Sequence, residues 1–151
     1  MISLPVPEDL VAGIVFPQVD VPTRDARQLI KEKVSLKDAV VQWGNIAGLV
    51  AGLYRSDYDL ISRSMHDVLI EPTRAILIPE FYAMKEIALS CGVLSFGISG
   101  SGPSVVAISR GKEAAQQAVD KIQAHLTSHG IESLQYVSSV NVAGPKVINL
   151  K

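Results

Sequence analysis

The sequence predicts an α+β fold in which helices cover one face of an antiparallel sheet. Short apolar runs rich in β-branched residues occur near the start of the chain, in its second half and towards its end. Longer segments with apolar residues at helical spacing separate these runs. The 151 residues, of which 48% are hydrophobic and 19% charged, are enough for one compact domain with a buried core.

The first strand is predicted at Leu10–Phe16, an apolar run that Pro17 ends. A loop through Pro22 follows. Thr23 can cap a short helix that runs to Ile30, because its hydroxyl can accept a hydrogen bond from an amide of the first turn.

A long helix is predicted from a cap at Ser35 to about Tyr54. Ser35 and Asp38 form a capping box with aspartate in place of the usual glutamate or glutamine. Apolar residues at helical spacing continue the helix. Three glycines recur at every fourth position and predict tight core packing along one edge: Gly44, Gly48 and Gly52.

Two further helices and a loop are predicted before the next strand. A short helix is predicted at Asp57–Met65. The segment Glu71–Arg74 is expected to be a loop, because the residue before a proline is disfavoured in helical conformation. Pro79 then suits the first turn of a helix, which should end one or two residues before a left-handed cap at Gly92.

The second half of the chain predicts two strands, a helix and two more strands. These are Val93–Ile98, Val105–Ile108, Lys112–Ser128, Leu134–Val142 and Lys146–Leu150. The complete order, strand, helices, strand, strand, helix, strand, is typical of a ferredoxin-like split βαβ sandwich.

Charge and composition exclude several partners. The 14 basic and 15 acidic residues leave a formal charge of −1, and no Lys/Arg block marks a nucleic-acid interface. The chain shows no transmembrane segment and no leader pattern at its start. Its one cysteine, Cys91, cannot form an intrachain disulfide. We therefore expect a cytoplasmic protein that binds neither nucleic acid nor membrane.

The sharpest local motif is the segment Gly97–Ser104, which is rich in glycine and serine. Its glycines permit positive φ, and its small side chains leave backbone N–H groups accessible to an anion. The same composition also serves a tight turn between two strands, and the motif is neither a Walker loop nor a dinucleotide motif. The residues that would support a phosphate here are Gly97, Ser99, Gly100, Ser101, Gly102 and Ser104.

Arginines beside helix ends and prolines are a second candidate for ligand binding: Arg24, Arg27 and Arg74. A guanidinium held by rigid backbone can bind a carboxylate or phosphate through two parallel hydrogen bonds, although solvation is the ordinary role of a lone arginine.

Histidine and aromatic side chains predict no further chemistry. The three histidines, His66, His125 and His129, show no metal-ligand spacing with the cysteine or with one another, so no metal site is predicted. Three aromatic residues on helical faces are expected to pack in the core: Trp43, Phe81 and Tyr82.

Three segments in a fixed order carry a resemblance to a known family. They are Pro22–Arg27 (PTRDAR), Asp67–Arg74 (DVLIEPTR) with Ile78-Pro79 close behind, and Gly97–Ser104 (GISGSGPS). Together they resemble the C-terminal half of the homoserine kinases in the GHMP kinase superfamily. The resemblance extends over essentially all 151 residues, and it implies the GHMP kinase C-terminal domain fold.

The resemblance implies phosphoryl transfer from ATP to the hydroxyl of L-homoserine, with Mg²⁺ bridging the phosphates, in threonine biosynthesis. It places Thr23 and Arg27 at the substrate and its transferring phosphate. It makes Arg74 the residue that binds the substrate carboxylate. The Gly97–Ser104 loop would pack beside the phosphate loop of the nucleotide site. Arginines and backbone amides suit these roles, because phosphoryl transfer depends on positioning and on positive charge around the equatorial oxygens.

The family's nucleotide loop and acidic Mg²⁺ ligand belong to an N-terminal half that these 151 residues do not contain. We therefore expect the N-terminal domain as a partner, no activity of the chain alone, and a homodimer by family resemblance. The alternatives are a GHMP kinase for another small alcohol, or a ligand-binding or oligomerisation module without catalysis.

Overall fold

The computed structural model of the chain describes residues 3–20, 30 and 33–144. Its elements in chain order are strand β1 (Leu10–Pro17), helices α1 (Leu36–Arg55), α2 (Tyr58–Ser64) and α3 (Glu71–Arg74), a 3₁₀ turn (Ala75–Leu77), helix α4 (Phe81–Ser90), strands β2 (Ser95–Ile98) and β3 (Val105–Arg110), helix α5 (Lys112–Ser128) and strand β4 (Ser133–Ser139). The predicted strand at Lys146–Leu150 and all but the last residue of the predicted helix at Thr23–Ile30 lie outside the described residues.

The four strands form one antiparallel sheet in the order β2-β3-β1-β4. Strand β1 is central: Leu10 pairs with Arg110 of β3, and Phe16 pairs with Leu134 of β4. This strand order and the ββ connection between β2 and β3 are those of the split βαβ sandwich. The predicted α+β, ferredoxin-like fold class is confirmed.

The core lies between one face of the sheet and helices α4 and α5. Alternate residues of β1, Val11, Gly13 and Val15, are buried on this face, as the two-residue period of a strand requires. Helix α5 lies very close to the sheet at Gly13, where a Cβ atom would be 2.8 Å from Val119 Cγ1. The two helices contribute half of the largest fully buried side chains, namely Phe81, Met84, Val119, Ile122 and Leu126.

Helix α1 begins as predicted and packs along its glycine edge. The Ser35 hydroxyl accepts the Asp38 N–H at 3.1 Å and donates to the Asp38 carboxylate at 2.7 Å. Gly48 and Gly52 face α2, and a Cβ atom on Gly52 would lie 2.9 Å from Ile61 Cγ1. The prediction of tight packing is wrong for Gly44, whose Cβ position has nothing within 4 Å.

The prediction that all three aromatic residues lie in the core is also wrong. Phe81 is buried, but Trp43 is 61% exposed and Tyr82 is 57% exposed. Because α1 packs on α2 through its glycine edge, the bulky apolar side of α1, with Leu36 and Val40 beside Trp43, faces outwards. None of the helices in the described part of the chain has the length and apolarity needed to cross a membrane.

Residues 71–74 form a short helix and not the predicted loop. The Asp67 carboxylate accepts the N–H groups of Leu69 and Ile70, each at 2.8 Å, and that of Glu71 at 3.1 Å. Pro72 lies in the first turn of α3, where its missing N–H costs no intrahelical hydrogen bond. The hydrogen bonds to Asp67 therefore outweigh the steric restriction that Pro72 places on the helical conformation of Glu71.

Candidate functional site

A cavity of about 270 Å³ opens between helix α1, the segment from α2 to α3, and strand β2. Its volume is close to the ~300 Å³ at which small-molecule pockets begin. Its lining combines apolar side chains with a set of polar ones. The polar or charged lining residues are Gln42, Asn45, Ser64, His66, Asp67, Glu71, Arg74 and Ser95.

Two amides of helix α1 hold the segment that forms one wall of the cavity. The Gln42 Oε1 atom accepts the Val68 N–H at 3.0 Å. The Asn45 Nδ2 atom donates to the His66 carbonyl at 2.8 Å. These bonds hold the backbone on both sides of Asp67, whose carboxylate accepts the N–H of Glu71, the first residue of α3.

Helix α3 in turn carries Arg74 to the cavity. The Arg74 Nη1 atom donates to the Gly100 carbonyl at 3.0 Å. Its Nε–H is buried and has no hydrogen-bond partner among the residues that the structure describes. A buried donor without a partner is costly, so a ligand that accepts from Arg74 would remove this cost.

The loop between β2 and β3 is a tight turn and a support for Arg74. The Ser99 N–H donates to the Ser104 carbonyl at 2.8 Å, and the Gly102 N–H donates to the Ser99 carbonyl at 3.2 Å. Gly100 and Gly102 have φ values of +66° and +80°, the backbone freedom that the sequence predicted. Of the six predicted loop residues, Gly97 and Gly100 line the cavity, whereas Ser99, Ser101, Gly102 and Ser104 do not.

The two carboxylates that line the cavity are already engaged. Asp67 accepts backbone N–H groups through both of its oxygens. Glu71 forms an ion pair with Lys85 of helix α4. The other Glu71 oxygen, Oε2, would lie 3.1 Å from a Cβ atom on Gly97, so a glycine here gives the carboxylate room.

The remaining predicted site residues, Thr23, Arg24 and Arg27, lie outside the described residues. The roles given to them stay predictions. Arg74, Gly97 and Gly100 are the predicted residues that the fold brings together at the cavity.

Three residues at the cavity are not among the predicted site residues: Gln42, Asn45 and Glu71. Gln42 and Asn45 carried a usable signal, because polar side chains three residues apart interrupt an otherwise apolar helix. Glu71 carried no such signal in the sequence, since its contact with Lys85 joins residues 14 positions apart in different helices.

A second cluster lies away from the cavity. No metal site was expected from the spacing of the histidines, but His125 and His129 are one helical turn apart at the end of α5. Glu80, at the start of α4, joins them, and one ligand atom from each residue lies within 4.8 Å of the others.

The fold is shared with several solved structures. Homoserine kinase from Cytophaga hutchinsonii superposes with a TM-score of 0.94 and 48% sequence identity, over 97% of this chain and 47% of that one. Phosphomevalonate kinase from Streptococcus pneumoniae superposes with a TM-score of 0.62 at 15% identity, over 89% of this chain and 41% of that one. The second likeness concerns the fold alone.

Sequence comparison gives the same family. Homoserine kinase from Chlorobium phaeobacteroides is 41% identical over 150 residues, which are 98% of this chain and 47% of that protein. Homoserine kinase from Chloroherpeton thalassium is 45% identical over 123 residues, 82% of this chain and 39% of that protein. The chain thus spans about half the length of the curated relatives it matches.

The family model described as GHMP kinases C terminal matches residues 49–128. This segment contains Asp67, Arg74 and all the other residues that line the cavity, apart from Gln42, Asn45 and Ile46 of helix α1. Because the match covers more than half of the chain and the solved relatives share its sheet and helices, the chain belongs to the GHMP kinases and corresponds to their C-terminal domain.

Proposed function

We propose that this chain is the substrate-binding half of a homoserine kinase, an enzyme that transfers the γ-phosphoryl group of ATP to the hydroxyl of L-homoserine. The observation that carries the proposal is the buried Nε–H of Arg74, which has no partner among the described residues and belongs to a side chain that lines a cavity of small-molecule size. The relatives that match nearly the whole chain are named homoserine kinases.

Arg74 is suited to bind the carboxylate of an amino-acid substrate. A guanidinium presents its N–H groups in a planar fork that matches two carboxylate oxygens. The Gly100 carbonyl holds one edge of the fork through Nη1, and the Nε–H has no partner among the described residues. The arginine is therefore oriented before substrate arrives, which reduces the entropy lost on binding.

The residues around the cavity do not fit a Mg²⁺ site. Mg²⁺ binds through one or two carboxylates together with water and phosphate oxygens. The Asp67 carboxylate is occupied by backbone N–H groups and the Glu71 carboxylate by Lys85. We assign no step to the metal within this chain and place its ligands, with the nucleotide phosphate loop, in an N-terminal domain of the complete protein.

Within the complete enzyme, Thr23 and Arg27 would contact the substrate and the transferring phosphate, as the family resemblance implies. A cation at Arg27 would stabilise charge that develops on the equatorial oxygens. Arg74 would hold the other end of the substrate. Two fixed ends would bring the hydroxyl into line with the phosphoryl group, and positioning is the main source of catalysis in phosphoryl transfer.

The test compares two substrates in the complete protein. L-Homoserine and 3-aminopropan-1-ol carry the same reacting alcohol, but the second lacks the carboxylate. A charge-assisted hydrogen bond contributes about 1.5–3 kcal/mol. We expect Arg74→Ala to reduce kcat/KM for homoserine at least about tenfold while leaving the weak reaction of aminopropanol nearly unchanged.

The matched control is Arg63→Ala, which removes an exposed arginine from α2, outside this cavity. It should leave the preference for homoserine intact. If Arg74→Ala lowered kcat/KM equally for both alcohols, Arg74 would not be the carboxylate-binding residue. If the parent protein phosphorylated neither, the proposed activity itself would be refuted.

A further inference from the structure

The cluster of Glu80, His125 and His129 joins the beginning of α4 to the end of α5. None of these residues lines the cavity described above, and the phosphoryl transfer proposed there does not use them. We propose that the three side chains form a binding site for a transition-metal dication of the Zn²⁺ type, which fastens the two helices together.

The distances suit a single small ion. The Glu80 Oε2 atom lies 2.8 Å from His125 Nε2 and 4.0 Å from His129 Nε2. Neighbouring ligand atoms of tetrahedral Zn²⁺ are roughly 3.3–3.5 Å apart, given metal–ligand bonds of about 2.0–2.2 Å. The two observed distances bracket this value. Small side-chain rotations would therefore bring all three atoms onto one metal ion. The hydrogen that His125 Nε2 donates to Glu80 in this structure would move to Nδ1 of the same ring as the metal binds.

A hydrogen bond holds His129 in the tautomer that leaves its Nε2 atom free to bind a metal. Its Nδ1 atom lies 2.9 Å from the His125 carbonyl oxygen, and a carbonyl can only accept, so Nδ1 carries the hydrogen. In the neutral imidazole, Nε2 then has a free lone pair on the side of Glu80. A ring N–H bonded to a backbone carbonyl is the usual support of a metal-binding histidine.

Two features of the surrounding backbone favour a cation here. The histidines occupy the last turn and C-cap of the 17-residue helix α5, where the partial negative charge of the helix end attracts a cation. Glu80 adopts φ +60°, a left-handed conformation that glycine holds at lower cost. In this conformation the Glu80 carboxylate lies against the two histidines.

The ligand set also selects the class of metal. Two imidazoles and one carboxylate suit Zn²⁺, Co²⁺ or Ni²⁺, whereas Mg²⁺ and Ca²⁺ prefer oxygen ligands alone. Three protein ligands leave the fourth tetrahedral position for water. His129 is the exposed member of the cluster, so solvent has access to that position.

The site is tested on the tag-free chain after treatment with a chelator. Calorimetric titration with ZnCl₂ should give one site with a dissociation constant in the micromolar range or below, and MgCl₂ should give no binding. The variants His125→Ala and His129→Ala should each weaken zinc binding at least tenfold. Addition of CoCl₂ should produce the strong visible absorption of four-coordinate Co²⁺, and His129→Ala should abolish it.

Two controls separate this site from general binding to histidine or carboxylate. His66→Ala removes the histidine outside the cluster. Glu86→Gln removes an exposed carboxylate from α4, the helix that begins just after Glu80. Both should bind zinc like the parent, whereas Glu80→Gln should not. Circular dichroism establishes that each variant is folded. Parent-like zinc affinity in folded His125→Ala and His129→Ala, or no micromolar site in the parent, would overturn the proposal.

Discussion

Arg74 and Gly100 are joined by a hydrogen bond of 3.0 Å from the Arg74 Nη1 atom to the Gly100 carbonyl. The residues are 26 positions apart, and Gly100 holds its carbonyl in place with φ +66°. The glycine-rich turn thus acts on the cavity through its carbonyl, by orienting a guanidinium. Under the proposed function, this contact connects the backbone of the loop to the residue that binds the substrate carboxylate.

Gly100→Ala should therefore reduce activity more than stability. A left-handed alanine costs of order 1 kcal/mol, which lowers the Tm of the complete enzyme by at most roughly 2–4 °C. Relief of this strain would move the carbonyl and release Arg74, so kcat/KM of the complete enzyme for homoserine should fall at least about tenfold. Thermal melts and steady-state kinetics on one preparation measure both effects.

Gly92→Ala is the matched control for that variant. Gly92 also has positive φ, +78°, and its Cβ position is equally open, but it follows α4 and does not line the cavity. Gly92→Ala should lower Tm by a similar amount and leave kcat/KM unchanged. Equal kinetic losses in the two variants would mean that Gly100 acts through stability alone.

Alanine substitutions at two glycines of α1 should change the free energy of unfolding in opposite directions. Gly52→Ala places a Cβ atom 2.9 Å from Ile61 Cγ1 and 3.1 Å from the Ile61 backbone nitrogen, and such overpacking costs about 1–3 kcal/mol. Gly44→Ala meets nothing within 4 Å and should gain about 0.5–1 kcal/mol from helix propensity. Chemical denaturation of both variants gives the comparison. A stabilised Gly52→Ala would contradict the close packing of α1 on α2.

Stability in acid should depend on Asp9. The Tyr58 hydroxyl donates to Asp9 Oδ1, and Arg110 Nε donates to Asp9 Oδ2 at 2.8 Å. These bonds, that of Tyr58 first, hold the pKa of Asp9 below its ordinary value. A carboxyl whose folded pKa is lowered stabilises the protein above its unfolded pKa, near 3.9. This stabilisation is lost as the pH falls through the lower folded value.

Asp9→Asn should therefore lower Tm at neutral pH and flatten the fall of Tm between about pH 5 and pH 2. Tyr58→Phe removes the main donor and should reproduce part of the effect, while its ring still lies under the Arg110 guanidinium, 4.6 Å from the ring centroid. Acid melts of the parent and both variants test this. Parallel curves for parent and Asp9→Asn would show that the contact does not form.

The 151-residue chain by itself should release no ADP from ATP in the presence of homoserine. The two carboxylates beside the cavity are engaged by backbone N–H groups and by Lys85, so neither is available to hold Mg²⁺ with the nucleotide. A coupled ADP-release assay with and without a co-expressed N-terminal domain tests the expectation. Turnover by the chain alone that Arg74→Ala abolishes would refute it.

The sequence determined the elements whose signals are local. Ser35 and Asp38 are three residues apart, and their capping contacts need only one turn of helix. Gly92 likewise takes the left-handed conformation that its place after a helix predicts. The order of strands and helices then fixed the ferredoxin-like arrangement, because few topologies satisfy right-handed, short connections.

Tertiary structure decided which faces are buried and which distant side chains meet. The apolar spacing of α1 predicted a core role for Trp43, but glycine contacts with α2 set the packing and left that residue exposed. The Asp67 cap turned a proline segment into helix α3. Glu80 and His125 are 45 positions apart and come within 2.8 Å only because α4 packs on α5. Periodicity in a sequence shows how apolar residues repeat along one helix or strand. It does not show which face of that helix or strand a second element covers, and that decides which side chains are buried.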